Sequence, residues 1–302
     1  MGLLTRSHGH RAYAAAIKSP STNVGILAGF AEEPFARVTI LEGMREVIAD
    51  RYRTFTAFSA PATELNAYLD LDASAEASPG GLILLPPRDA DLNALREFRR
   101  NRPVVLIDQM IPGFEADFVG FQDFEAGYHA ARHLYSLGHR RITFLGDEGP
   151  TTAKDRRRGV DSFCREASIE FSWNFSGLAN GHRPPEGYVE AVFGLVRQNW
   201  PTAAVCTNDE TAAAIMVSLA RVGIHVPGDL ALVGFGNAHT SLLNALDLTT
   251  MAQPYIELGR EALALIAERF QGSVTGEVRE LRLPMHLVRR GSCGAGLPTV
   301  AA

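Results

Sequence analysis

From Asn23 onward one pattern repeats: a short apolar run rich in β-branched residues, a break at Pro, Gly or Asp, then a helix-length stretch with one apolar face. The runs NVGILAG (23–29), TFTAFSA (54–60), GGLILLP (80–86) and PVVLIDQ (103–109) form a first series, with a helix expected over 35–49. RRITFLG (140–146), TAAVCTND (202–209) and DLALVGF (229–235) form a second, with helices expected near 156–168, 186–199 and 210–222. Near-continuous apolar strands are those of parallel sheets covered by helices on both faces. The expected class is therefore α/β, with two doubly wound parallel-sheet lobes. Ligands of such sheets bind at the carboxyl ends of strands, so the natural site is a cleft between the lobes, closed by hinge motion.

The chain of 302 residues suffices for two such lobes. A net charge of −5 and a pI near 6.0 argue against broad nucleic-acid binding by these residues, since phosphate contact needs clustered Lys and Arg. No apolar window long enough to span a membrane is present, and the N-terminus lacks a signal-peptide pattern, so a cytoplasmic location and no membrane partner are expected. Cys164, Cys206 and Cys293 are odd in number and widely spaced, which suits packing and neither a disulfide framework nor a zinc site.

The motifs GxxxxGK[ST], GxGxxG after the first strand, GxSxG, HExxH and paired CxxC are absent, and nothing assembles a nucleophile with a base. No enzyme activity and no cofactor are expected. His129 and His133 are spaced i, i+4, but no third metal ligand accompanies them and a solvated helix face explains the pair.

Several strings in order and spacing, VGILAGFAEEPFARVTILEGMREV, GLILLPP, FEAGYHAARHLYSLGHRRITFLG, RRRGVDSF, CTNDETAAAIM, VPGDLALVGFG and LTTMAQPYIELGREA, resemble the LacI/GalR transcription regulators over about residues 22–290. The resemblance implies a fold like type I periplasmic binding proteins, with two lobes joined by three crossings. It divides the chain into an N-terminal lobe of 22–137 plus 253–281 and a C-terminal lobe of 138–252 plus 282–294, with a tail at 295–302. Residues 1–21 take the place of a hinge-helix remnant or linker, with HRAYAAAIKSPST as the hinge segment. The implied function is the ligand-sensing and dimerisation core of such a regulator. A small effector, a sugar or sugar derivative, would change the angle between lobes. The implied partners are a second copy of the chain and operator DNA, read through a helix-turn-helix headpiece that these residues do not contain. A solute-binding protein of the same fold, or a regulator controlled by a protein partner without a small ligand, stands as the alternative.

The resemblance also nominates site residues. Arg156 occupies the position of the family's effector-binding arginine, where a forked guanidinium holds hydroxyls or a carboxylate, although the Arg156–Arg158 run also suits a solvated helix start. Asn208 and Asp209 end a buried strand and open a helix, so they either cap it or present polar atoms to a ligand. Where relatives place an aspartate after DLALVGF, this chain has Gly236 and then Asn237, which makes a simple pyranose less secure as effector. His182 aligns with an aromatic over the ligand, and Phe35 with an apolar wall. Asp123 and Glu125, before a helix, are candidates facing the cleft from the first lobe, and Gln253 is one at the second crossing.

Overall fold

A computed structural model describes residues 4–7, 11–14, 23–28, 34–48, 53–58, 79–85, 92–146, 151–174, 201–272 and 276–294. The chain divides into two compact units, Met1–Gly120 with Tyr255–Leu283 and Phe121–Pro254 with Pro284–Ala302, and passes between them three times.

The first unit holds a six-stranded sheet in the order β13-β7-β6-β5-β3-β4. Its strands are β3 (Asn23–Ala28), β4 (Arg53–Phe58), β5 (Gly81–Leu85), β6 (Val104–Ile107), β7 (Asp117–Phe121) and β13 (Glu280–Leu283). Pairing is parallel from β4 through β7, with Ile26 opposite both Thr56 and Ile83. Leu82, Leu84, Val104, Leu106 and Phe118 from the sheet pack with Leu95 and Phe98 of α2 (Leu92–Arg99). Helices α1 (Pro34–Ile48) and α7 (Tyr255–Phe270) complete the unit.

The second unit repeats the design with the order β14-β12-β11-β10-β8-β9. Its strands are β8 (Arg141–Leu145), β9 (Glu170–Asn174), β10 (Ala203–Cys206), β11 (Ala231–Gly236), β12 (Thr249–Ala252) and β14 (His286–Val288), the last running antiparallel to β12. Its helices are α3 (Asp123–Ser136), α4 (Thr151–Glu166), α5 (Asp209–Arg221) and the short α6 (Thr240–Ala245). The strand order reverses beside the first strand of each six-stranded sheet, at β3 and at β8. This is the doubly wound arrangement, with its ligand-binding end at the strand carboxyl termini.

Each unit contains a pair of helices in backbone contact, made possible by one glycine on each helix. A Cβ on Gly43 of α1 would lie 2.0 Å from the Ile256 carbonyl oxygen of α7, and one on Gly259 would lie 2.0 Å from that of Ile40. Gly127 of α3 and Gly159 of α4 face the carbonyl oxygens of Arg156 and Phe124 at the same separation. Gly159→Ala is expected to destabilise the second unit by about 3 kcal/mol, the upper end for over-packing, because rigid backbone cannot yield as a side chain does. Urea denaturation of the variant measures this, and a loss below about 0.5 kcal/mol would show that the crossing can widen at little cost.

Two expectations need correcting. Helix α3, placed in the first lobe by sequence, belongs to the second unit, because Ala126, Ala130, Ala131 and Leu134 on its buried face share a core with Ile142, Phe144, Val160 and Phe163. The division therefore falls after Gly120, and the later two after Pro254 and Leu283. Arg11–Ala14, expected as part of a hinge-helix remnant or linker, forms a strand β2 paired antiparallel with β1 (Leu4–Ser7), Leu4 opposite Ala14. So short a segment gains little as an isolated helix, whereas pairing satisfies its backbone groups directly.

Candidate functional site

The candidate site lies wholly in the second unit, where β8, β10, β11 and β12 end at Leu145, Cys206, Gly236 and Ala252. These four strands are parallel neighbours, so their carboxyl ends fall on one edge. The Gly127–Gly159 crossing builds its first element. Asp123 lies one turn before Gly127, and Arg156 lies three residues before Gly159, so backbone contact between the helices brings the two side chains together.

Arg156 Nε donates to Asp123 Oδ1 at 2.8 Å, and Nη1 donates to the Thr207 carbonyl oxygen at 2.7 Å, just past the end of β10. The guanidinium carbon lies 4.7 Å from the centroid of the Phe235 ring, close enough for a cation–π contact. Arg156 is 6% exposed and Asp123 2%. The helix starts at Thr151, so Arg156 sits within it and is no part of a solvated helix start. Asp123 acts from the second unit, not the first.

The second element joins β10 to β11. Asn208 caps α5, its Oδ1 accepting from the Thr211 N–H at 2.8 Å. Asp209 is 5% exposed, and its Oδ2 accepts the Asn237 backbone N–H at 2.6 Å. Its Oδ1 covers Gly234, where a Cβ would lie only 2.2 Å from that oxygen. Burial raises the Asp209 pKa, opposed by the Thr250 hydroxyl, the Asn237 N–H and the charges of Arg156 and Arg290. The backbone bond to Asp209 holds Asn237 at φ 63, a left-handed conformation that asparagine tolerates better than most residues.

Arg290, beyond β14, supplies a third element that the sequence did not nominate. Its Nη2 donates to Asn237 Oδ1 at 3.0 Å, Nε to Asn244 Oδ1 at 2.8 Å and Nη1 to the Leu248 carbonyl at 2.6 Å. Thr207 and Phe235 were likewise missed. In sequence Arg290 is half of a basic pair that belongs to no motif, and Thr207 contributes only its backbone.

The nominated residues are thus partly assembled. Arg156 meets Asp123, Asp209 meets Asn237, and the Gln253 N–H donates to the Gly236 carbonyl at 3.0 Å. Glu125 is exposed on α3, two residues before Gly127 and outside the Arg156 contact. Phe35 lies in the first unit, 50% exposed at the start of α1. His182 and the helix expected over 186–199 lie outside the described residues. His133 Nε2 sits 3.3 Å from Cys293 Sγ, and His129 is exposed. Among the described residues no cluster of three or more metal-ligating side chains occurs, and no helix is long and apolar enough to cross a membrane.

The sequence model of the periplasmic binding protein-like domain matches residues 131–293, over half the chain. The chain belongs to this family. Curated proteins of similar sequence include HTH-type transcriptional repressors. The chain is 32% identical over 170 residues to the HTH-type transcriptional repressor PurR of Haemophilus influenzae, covering 55% of this chain and 49% of the relative. It is 30% identical over 217 residues to the HTH-type transcriptional repressor CytR of Escherichia coli K12, covering 71% and 63%. The chain thus spans about half to just under two thirds of these relatives' lengths. Among solved structures, a LacI family transcriptional regulator from Enterococcus faecium with bound ribose matches with a TM-score of 0.73 and 24% identity, covering 89% of this chain and 98% of that one, a likeness of fold.

Proposed function

We propose that this chain is the effector-binding and dimerising core of a LacI/GalR-type transcription regulator acting in the cytoplasm. A small polar effector binds at the carboxyl ends of β8, β10 and β11, where Arg156 is held ready. Binding changes the relation of the two lobes, which close on the effector in the way the sequence resemblance implies, and a homodimer passes that change to a helix-turn-helix headpiece on operator DNA. The observation that carries this reading is the similarity to HTH-type transcriptional repressors at 30–32% identity, which in CytR extends over 71% of the chain. The Arg156 geometry supports it. A buried guanidinium anchored on two sides keeps its fork in a fixed orientation, so little rotamer entropy is lost when a ligand arrives.

A thermal-shift screen against sugars, sugar acids, sugar phosphates and nucleobases tests the reading. A true effector at a hundredfold excess over its Kd adds about 2.7 kcal/mol, or roughly 5–10 °C in Tm for a unit of this size. Silence across the whole screen would contradict an effector-binding core.

A further inference from the structure

We propose that the effector of this site carries an oxyanion, a carboxylate or a phosphate, and that Asn237 is the residue that selects it. The inference rests on the strand-end reading above and adds the chemical class of the ligand.

A guanidinium has donors and no acceptor, so an asparagine amide facing it must turn its oxygen inward. The contact from Arg290 Nη2 to Asn237 Oδ1 therefore fixes the amide, and its two N–H donors point to the opposite side. They meet no acceptor among the described residues, and Asn237 is only half-buried. Arg290 itself has neutral acceptors, Asn237, Asn244 and the Leu248 carbonyl, and no carboxylate within ion-pair distance among the described residues. Its positive charge polarises the amide, strengthens the outward donors and favours negative charge beyond them.

The acidic groups nearby reinforce this. Asp123 is committed to Arg156, and Asp209 to the Asn237 backbone, with its other oxygen packed over Gly234. Asp209 Oδ1 makes no hydrogen bond among the described residues, but it is enclosed by protein atoms and closed off from a ligand. The corner thus offers donors backed by a cation with no carboxylate within ion-pair distance among the described residues, which a carboxylate or phosphate satisfies fully and a hydroxyl satisfies only as acceptor.

The test uses matched triplets: glucose, gluconate and glucose 6-phosphate; ribose, ribonate and ribose 5-phosphate; with inorganic phosphate alone as a further probe. All are measured by calorimetry and thermal shift at constant ionic strength. The acid or phosphate member of a bound triplet is expected to bind at least about tenfold more tightly than its neutral sugar, and the member that wins distinguishes carboxylate from phosphate. Two variants follow. Asn237→Asp keeps a residue that tolerates positive φ and pairs with Arg290, and it should reverse the preference. Asn237→Gly, free at positive φ, should abolish it. A neutral sugar that binds as tightly as its anionic partner, or an anion preference unchanged in both variants, would overturn the proposal and leave the sensor reading intact. Silence from every probe, inorganic phosphate included, would overturn the small-ligand reading and this proposal together.

Discussion

Asp117→Ala should lower the unfolding free energy of the first unit by about 3–5 kcal/mol, the usual cost of stranding one member of a buried ion pair. Asp117 opens β7 and is 4% exposed. Its two oxygens accept from Arg269 Nε at 2.7 Å and Nη2 at 2.5 Å, a bidentate fork, and Oδ1 also accepts the Arg279 backbone N–H at 2.9 Å. The partner carboxylate raises the pKa of Arg269 further above its already high value. The same guanidinium reaches the Glu277 carbonyl, so one carboxylate ties the end of α7 and the segment leading to β13 to the start of β7. Removing it leaves a largely buried cation and an unsatisfied N–H. Urea denaturation followed by circular dichroism measures the loss. A change below about 1 kcal/mol would mean that the clamp is replaced by water at little cost.

The second large effect concerns Arg156. Arg156→Met should cost about 3–5 kcal/mol, because Asp123 is left charged and buried and the Thr207 carbonyl loses its donor. Adding Asp123→Asn should recover most of that, leaving a loss of about 1–2 kcal/mol for the orphaned carbonyl, since a neutral pair of similar volume carries no uncompensated charge. The double-mutant cycle gives the coupling directly. Equal losses in the single and the double variant would show that the ion pair contributes nothing beyond packing.

The apolar runs marked seven strands, and all seven are present, because burial on both faces leaves an unbroken hydrophobic signature. The strands that went unread carry polar residues. β7 begins with Asp117, whose charge is paired with Arg269, 152 residues away in sequence. β12 contains Thr249 and Thr250, and the Thr249 hydroxyl donates to the Arg290 carbonyl. A local pattern does not show such distant partners. The site follows the same rule. Asn208 and Asp209 were legible as the opening of a helix, and the resemblance pointed to Arg156. That Asp123 meets Arg156 depends on Gly127 and Gly159, two glycines whose pairing only the packed helices reveal. Arg290 was invisible because its partners, Asn237, Asn244 and Leu248, are gathered from a loop, a short helix and the residue just before a strand.

In the proposed function, the Arg156 corner of the second unit grips the effector. The most direct measurement is calorimetric titration of a stabilising ligand into the wild-type chain and into the Arg156→Met, Asp123→Asn double variant, whose fold is first verified by its unfolding transition. The account predicts that affinity falls at least about a hundredfold while the fold persists, as loss of charge-assisted hydrogen bonds requires. Unchanged affinity in the folded double variant would contradict it and move the effector away from these strand ends.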